Sequence, residues 1–349
     1  SPTPGRMLAQ SEIELQSFTE QPGRIADANA PQRTVCWEAD LTENRRFGVQ
    51  YRYKTTAVYA DPLDFVPAPE QPTFDTEEQA PHIVFTPYLR ALASQLTEGI
   101  TDPAEKAKRI YDYVTLNVRY HYQPAYFVQD CLPDRCARNR RGDCGIMALT
   151  FITLCRLVGI PARWQSGLSV SPTGVGCHDW AMFYIAPKGW MYADCSFGAS
   201  MARQGEEELR RHYFGSLDTG RMVANRAFEA PFDPPMYGFR SDPYDNQSGE
   251  CEVDGVGLYG DALEYPERTG RFRGLIINGI FSWIVHPAAG HHLPAAGSGA
   301  LETEQAPERG RLRGAQALDA AAARCTGKRL CGQTGGNGGA ELHRHPQRQ

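Results

Sequence analysis

Residues 141–159 read Arg-Gly-Asp-Cys-Gly-Ile-Met-Ala-Leu-Thr-Phe-Ile-Thr-Leu-Cys-Arg-Leu-Val-Gly. Apolar residues fill nearly every face from Cys144 to Val158, and Gly159 ends the run. The pattern predicts a helix that is buried on all sides, with Asp143 as the capping residue before it. Cys144 then lies in the first turn, where free N–H groups and the positive end of the helix dipole stabilise a thiolate. Because the thiolate is the nucleophilic form of cysteine, this position predicts a reactive Cys144.

Three strands are predicted after this helix, at residues 162–170, 176–186 and 190–197. Pro, Lys and Gly at 187–189 suit a tight turn, so the last two strands are expected to form an antiparallel hairpin. His178 and Asp194 lie at similar distances from the turn and become near neighbours across the two strands. The Asp194 carboxylate can then fix the tautomer of the imidazole, and the imidazole can deprotonate Cys144 packed against it. The sequence therefore predicts a catalytic triad of Cys144, His178 and Asp194.

The order of these motifs resembles the transglutaminase-like core. The motifs are Gly-Asp-Cys-Gly before an apolar helix, Gly-Ile-Pro-Ala-Arg at 159–163, Cys-His-Asp-Trp at 177–180 and Trp-Met-Tyr-Ala-Asp at 190–194. The resemblance covers roughly residues 84–230 and is nearest to bacterial members of the family. It implies an α+β, papain-like fold, in which a helix that bears the cysteine packs on an antiparallel sheet that bears the histidine and the aspartate. It also implies that Cys144 is the nucleophile, His178 the general base and acid, and Asp194 the residue that orients His178.

Two positions depart from the usual pattern of the family. Asp179 stands where a small or amide residue is common, and Cys195 stands where proline is common. Neither departure removes a member of the triad.

The implied chemistry is acyl transfer at an amide through a thioester on the cysteine. Water as the acceptor gives a peptidase or amidase, whereas an amine gives transglutaminase-type protein modification. The expected partner is a protein or peptide substrate, and no cofactor or metal is expected. One alternative is a non-catalytic binding module on the same fold, and another is a metal-stabilised structural domain.

The tetrahedral intermediate of such a reaction needs hydrogen-bond donors for its oxyanion. The backbone N–H of Cys144 is one expected donor. The second is expected from a side chain upstream of the helix, where Tyr120 and Tyr126 are candidates and Gln123 is a weaker one.

Four residues near the predicted hairpin are also of zinc-ligand types: Cys177, His178, Asp194 and Cys195. Neighbouring residues of a strand point to opposite faces, which argues against a shared zinc site. If His178 and Asp194 face the nucleophile, Cys177 and Cys195 both face away from it. This arrangement favours a cross-strand disulfide or a pair of packed thiols between these two cysteines.

The composition is that of an ordinary globular protein. The 349 residues are 41% hydrophobic and 22% charged, with a net charge of −5 and a pI of about 6.0. Nothing in this balance calls for nucleic acid or an anionic membrane as a partner, and no apolar run is long enough for a membrane span. The start at Ser1 is neither a methionine start nor a signal peptide, which fits a trimmed mature N-terminus or a fragment. A secreted or periplasmic location, with the signal peptide removed, is the expectation.

Four regions are predicted along the chain: a flexible leader at 1–33, a small β-rich region and linker at 34–82, the transglutaminase-like catalytic domain at 83–285, and a tail at 286–349. The tail is rich in Ala, Gly, Arg and Gln, and this low-complexity composition predicts disorder because it buries little apolar surface.

Shorter patterns predict the elements within these regions. Strands at 34–41 and 47–60 are expected to pair as a hairpin, and Thr86-Pro87 and Asp102-Pro103 are typical helix starts. The remaining predictions are a polar loop at 123–141, an amphipathic helix at 203–228 and irregular chain at 230–265.

Overall fold

The structure is a computed structural model that describes residues 9–258, apart from 31, 33, 41–44, 124–125, 172–173, 229 and 239–249, and also the strands at 271–276 and 283–285. The helices are α1 (Pro87–Leu96), α2 (Pro103–Asn117), α3 (Leu132–Asn139), α4 (Cys144–Leu157), α5 (Cys195–Gln204) and α6 (Glu207–His212). The strands are β1 (Gln10–Phe18), β2 (Arg24–Ile25), β3 (Val35–Asp40), β4 (Arg45–Phe47), β5 (Val49–Thr55), β6 (Arg119–Tyr120), β7 (Arg141–Gly142), β8 (Ala162–Ser171), β9 (Gly174–Ile185), β10 (Gly189–Ala193), β11 (Phe214–Gly215), β12 (Arg221–Asn225), β13 (Glu250–Val253), β14 (Val256–Leu258), β15 (Arg271–Ile276) and β16 (Trp283–Val285). The predicted tail at 286–349 lies outside the described residues.

A five-stranded antiparallel sheet with the strand order β11-β10-β9-β8-β12 forms the centre of the larger core. β9 and β10 pair from Ile185 and Gly189 beside the turn to Ala181 and Ala193, so the predicted hairpin is confirmed. β8 pairs with β9 on its other side. Helices packed on an antiparallel sheet confirm the predicted α+β fold class.

Helix α4 is buried along almost its whole length and packs on β8 and β9. Every residue from Gly145 to Arg156 is buried. Trp164 of β8 and Ala181 and Phe183 of β9 belong to the same hydrophobic cluster as the apolar residues of α4. Full burial of one large apolar side chain contributes about 1.5–3 kcal/mol, so this contact is a main source of the stability of the core. The prediction of a fully buried helix that starts at Cys144 is confirmed.

Both helix starts that were predicted from a capping residue and a proline are confirmed. The Thr86 side chain accepts a hydrogen bond from the amide of Leu89 at the start of α1. The Asp102 carboxylate accepts hydrogen bonds from the amides of Ala104 and Glu105 at the start of α2. Each cap satisfies N–H groups that have no partner inside the helix.

The N-terminal residues differ from the expected leader and hairpin. Residues 10–18 form β1, which pairs with β5, in place of a flexible leader. The predicted hairpin is wrong, because β3 pairs with β2 and β15 and not with β5. Register shifts in the β1–β5 pair break the alternation that marks a strand in the sequence. The partner of β3 comes from the far end of the chain, which local turn signals cannot reveal.

The predicted polar loop at 123–141 contains the helix α3. Leu132, Cys136 and Ala137 are buried along one side of this helix. Proline and several charged residues gave the segment the composition of a loop. Pro133, however, lies in the first turn of α3, where the missing N–H of a proline costs no helical hydrogen bond.

The predicted helix at 203–228 is present only in part. α6 ends at His212, and the chain then forms β11 and β12, of which β12 pairs with β8. Gly215 adopts a φ of 109°, which a helix does not permit. The predicted irregular segment at 230–265 likewise contains an antiparallel pair of strands, β13 and β14.

The helices are short in relation to a bilayer. α2 has 15 residues, whereas a membrane-spanning helix needs about 20 apolar residues. In the described part of the chain, no helix is long and apolar enough to cross a membrane. The secreted or periplasmic location stays a prediction.

Gly167 lies where β12 approaches β8 most closely, and it faces His178 across the β8–β9 pair. A Cβ atom at Gly167 would overlap the carbonyl oxygen of Met222 and lie 2.8 Å from the amide nitrogen of Ala224. We therefore expect Gly167→Ala to push β12 away from β8 and to lower the unfolding free energy by about 1–3 kcal/mol in urea denaturation. Gly174→Ala is the matched control, since a Cβ there meets no described atom within 4 Å. Equal stability of the two variants would contradict the close packing of β12.

Candidate active site

Cys144 is the first residue of α4, and its position is set by the residue before it. The Asp143 carboxylate accepts a hydrogen bond from the amide of Ile146 at 3.0 Å, which caps the helix. Cys144 is a free, partly exposed thiol. Its Sγ donates a hydrogen bond to Oδ2 of Asp179 in β9, at 3.3 Å. The first turn of α4 therefore meets β9 at the residue next to His178.

His178 and Asp194 are brought together, as the hairpin geometry predicts. His178 Nε2 lies 2.7 Å from Asp194 Oδ2, and both residues are buried. Asp194 directly follows β10, and the register of β9 and β10 continues to place it opposite Trp180, so its contact with His178 is diagonal. The Phe197 ring packs on the imidazole, with 4.6 Å between ring centroids.

His178 and Asp179 are neighbours in β9, and their side chains point to opposite faces of the sheet. Consecutive strand residues point to opposite faces. Ala181 and Phe183 belong to the hydrophobic cluster that contains α4. Asp179 points to the same face of β9 as these two residues. Trp180 belongs to a separate hydrophobic cluster on the other face of β9, and His178 points to that face. Of the predicted triad, the structure thus pairs His178 with Asp194, while Cys144 hydrogen-bonds to Asp179.

Arg221 of β12 is a member of the site that the sequence did not reveal. Its Nη2 donates a hydrogen bond to Asp194 Oδ2 at 2.8 Å, and its guanidinium carbon lies 4.1 Å from the centroid of the Phe197 ring. Although burial raises the pKa of Asp194, the nearby His178 and Arg221 outweigh this effect and hold the pKa well below its usual value. Asp194 is therefore a firmly charged group in the interior. The pattern at 203–228 predicts a helix, and a helix there gives no reason to expect Arg221 beside Asp194.

Asp143 is a second buried carboxyl group at the site. Besides Ile146, it accepts hydrogen bonds from the backbone amide of Gln123 at 3.0 Å and from the hydroxyl of Tyr126. Burial raises its pKa to about 7, and the Asp179 charge adds to this, whereas the hydrogen bonds act in the opposite direction. The carboxyl groups of Asp143 and Asp179 thus flank the cysteine.

The electrostatics of Cys144 differ from the expectation based on its helix position. Burial, together with the charges of Asp179 and Asp143, raises the pKa of the Cys144 thiol well above its usual value. A helix N-terminus stabilises an anion by only about 0.3–1 kcal/mol at an ordinary site, which is less than burial and two nearby carboxylates cost it. In this structure Cys144 is therefore a thiol that acts as a hydrogen-bond donor.

The three candidates for a second oxyanion donor are distinguished by their partners. The hydroxyl of Tyr126 and the amide of Gln123 both donate to Asp143. Tyr120 is half-exposed, and no described residue hydrogen-bonds to its hydroxyl. The buried half of Tyr120, followed by the influence of Cys144, Asp143 and Asp179, raises its pKa and keeps the hydroxyl a neutral donor. Tyr120 is thus the candidate whose hydroxyl remains available.

The cysteines outside the triad differ from the prediction. Cys177 is disulfide-bonded, whereas Cys195 is a free, buried thiol in the first turn of α5. The two cysteines therefore form neither the predicted disulfide nor a pair of packed thiols. The reason is that β10 ends at Ala193, before the strand would reach Cys195. Within the described residues, no group of three or more His, Cys, Asp or Glu side chains is arranged to hold a metal ion.

Part of the chain matches one family model, and the chain has a distant likeness to solved structures. Residues 90–195 match the model of the Transglutaminase-like superfamily, and this range includes Cys144, His178 and Asp194. A proposed cysteine protease from Cytophaga hutchinsonii is 16% identical, with a TM-score of 0.35 over 55% of this chain and 68% of that chain. The periplasmic domain of TgpA from Pseudomonas aeruginosa is also 16% identical, with a TM-score of 0.34 over 57% of this chain and 73% of that chain. No curated protein has a matching sequence.

The buried Asp143 predicts a characteristic dependence of stability on pH. Its pKa is about 7 in the folded protein, whereas an unfolded aspartate titrates near ~3.9. The folded state retains a proton that the unfolded chain releases between about pH 4 and pH 7, so this group lowers stability progressively as the pH rises through that range. Asn keeps a capping acceptor without the charge. As the pH rises from about 4 to about 7, we expect the unfolding free energy of Asp143→Asn to increase by up to about 4 kcal/mol relative to that of the wild type. This change is expected whatever the absolute stability of the variant.

Urea denaturation of both proteins across this pH range measures the effect. Parallel pH dependences for the wild type and Asp143→Asn would contradict the assignment of a buried, protonated Asp143.

Proposed function

We propose, from the transglutaminase-like core in residues 90–195, that this protein catalyses acyl transfer at amide carbonyls of a protein or peptide. Cys144 acts as the nucleophile, His178 as the general base and acid, and Asp194 as the residue that orients His178. The observation that supports this most is the buried hydrogen bond of 2.7 Å between His178 and Asp194. The match to a superfamily of cysteine-dependent enzymes supports the same chemistry.

The hydrogen bond to Asp194 determines which nitrogen of His178 can act as a base. The ionised carboxylate can only accept, so the proton of a neutral His178 lies on Nε2. Nδ1 then carries the basic lone pair and can take the proton of Cys144 Sγ. Arg221 also donates to Asp194, at 2.8 Å, and holds the carboxylate in place. When His178 becomes charged, the Asp194 carboxylate stabilises the imidazolium.

The first half of the reaction forms a thioester. The proton of Cys144 passes from Sγ to Nδ1 of His178. Because His178 lies on the other face of β9 in this structure, this transfer requires β9 to rearrange around residues 177–179 as substrate binds. Sγ then bonds to the carbonyl carbon, and the negative charge moves to the oxygen, where the Cys144 amide and the Tyr120 hydroxyl donate hydrogen bonds. The C–N bond breaks as His178 returns its proton to the leaving amine, and the acyl group remains on Cys144.

The second half of the reaction depends on the acceptor. Water that attacks the thioester gives a peptidase or amidase, and a primary amine gives transglutaminase-type modification. In both cases His178 takes a proton from the acceptor, and the thiol of Cys144 is restored as the C–S bond breaks. The same triad serves both activities, because the acyl-enzyme is common to them.

Both activities can be measured with one pair of reagents, N,N-dimethylcasein and a fluorescent primary amine. Fluorescence that becomes attached to casein reports transfer, casein fragments report peptide-bond hydrolysis, and released ammonia reports hydrolysis of side-chain amides. We expect Cys144→Ala and His178→Ala each to be at least ~100-fold less active than the wild type, because the first lacks the nucleophile and the second lacks the general base. Mass spectrometry of the intact wild type is expected to detect an acyl adduct on Cys144.

Cys131→Ala is the matched control, since Cys131 is also a free and partly exposed thiol and has no role in the proposed triad. Full activity in Cys144→Ala would contradict the proposal. A folded wild type with neither activity nor acyl adduct would also contradict it and would favour the non-catalytic binding module.

A further inference from the structure

Asp179 is the group that touches the proposed nucleophile. Its Oδ2 accepts a hydrogen bond from Cys144 Sγ at 3.3 Å, and the residue is only 6% exposed. Burial raises the pKa of the Cys144 thiol, and the charge of this carboxylate raises it further. Asp179 can therefore stabilise the S–H form of Cys144 as an acceptor, but it opposes the S⁻ form.

The packing around Gly145 makes room for this carboxylate. A Cβ atom at Gly145 would lie 2.8 Å from Asp179 Oδ2 and 2.9 Å from Cη2 of Trp164, and it would also meet the hydroxyl of Tyr126. The residue after the nucleophile must lack a side chain if Asp179 is to reach Cys144. The contact is thus enclosed by α4, β8 and the segment that carries Tyr126.

Among the residues that the structure describes, the other titratable groups around Cys144 do not reverse the effect of Asp179. Asp143 lies at the start of α4, and Tyr120 and Tyr126 approach from β6 and the segment after it. The first is a second carboxyl group, and the tyrosines are neutral. His178, next to Asp179 in β9, is the cationic partner that the thiolate would need, and its described hydrogen bond is directed to Asp194.

We propose that Asp179 holds Cys144 as a hydrogen-bonded thiol in the resting protein, so that the nucleophile becomes reactive only when its proton is transferred to His178. The inference rests on the proposed function, because it concerns the same cysteine, and it adds a fourth residue that contacts a reacting atom.

Asp179 takes up no proton in this scheme. The thiol proton moves from Sγ to Nδ1 of His178, and the Asp179 carboxylate loses one hydrogen-bond donor. An ordinary carboxylate is about 5 pKa units too weak a base to take the proton of an ordinary thiol itself.

The test is the rate at which iodoacetamide alkylates Cys144, followed by peptide mass spectrometry in the wild type and in Asp179→Asn. We expect the amide to raise the rate near neutral pH at least ~10-fold and to move the midpoint of the rate–pH profile at least ~1 unit lower, because one opposing charge is removed. Cys131 in the same samples is an internal reference. Glu98→Gln, which removes one charge from an exposed residue, is expected to change neither thiol.

Asp179→Ser repeats the measurement with a smaller side chain, in case the amide disturbs the fold, and a constant Cys131 rate with cooperative unfolding identifies a folded variant. An unchanged Cys144 rate in both folded variants would overturn the inference. A slower rate would also overturn it and would make Asp179 the base. These outcomes leave the proposed function standing, which fails separately if Cys144→Ala retains acyl-transfer activity.

Discussion

The burial of α4 against β8 and β9 is the constraint on which the rest of the structure depends. Because every residue from Gly145 to Arg156 is buried, the core fixes the direction of the helix and the position of its first turn. Cys144 in that turn retains partial exposure. The capping carboxylate of Asp143 is buried by the same packing, and its three hydrogen-bond donors offset part of the cost of that burial. A thiol is thereby presented at a helix end that cannot move without disrupting the core.

The charges around this helix end have opposite effects on the two halves of the site. On one side of β9, Asp194 is held ionised by His178 and Arg221, which prepares an imidazole of defined tautomer. On the other side, Asp179 and the burial of Cys144 favour the thiol. Reactivity then depends on substrate binding to bring thiol and imidazole together, and the resting protein does not carry an exposed thiolate. This arrangement differs from the thiolate that helix position alone predicts.

The parts of the site that depend on local patterns are predictable from the sequence. The apolar run after Cys144 predicts α4, and the turn at 187–189 predicts the hairpin that joins His178 to Asp194. The missed parts depend on contacts between distant segments. Arg221 reaches Asp194 only because β12 pairs with β8, and β1 pairs with a strand more than thirty residues away. Gly215 and Gly220 are the available signal that the chain around Arg221 is not helical, because glycine disfavours a helix interior.

The helix α3 and the contact of Cys144 with Asp179 were missed for related reasons. α3 carries charged residues on its exposed side and a proline in its first turn, and these have the composition of a loop. Asp179 was recognised as a departure from the pattern of the family, yet its direction depends on which face of β9 meets α4. Only the packing of the two elements decides that.

The most direct test of the central claim compares the acylation of Cys144 with its alkylation. The central claim is that His178 receives the proton of Cys144 when substrate binds. In the wild type and in His178→Ala, mass spectrometry follows the acyl adduct that casein forms on Cys144, and iodoacetamide labelling without substrate gives the ratio of the Cys144 and Cys131 rates, since both are free and partly exposed thiols. We expect acylation to fall at least ~10-fold in His178→Ala, because the base is lost, while the alkylation ratio stays unchanged, because the resting thiol is bonded to Asp179. Acylation at the wild-type rate in a folded His178→Ala variant would contradict the claim.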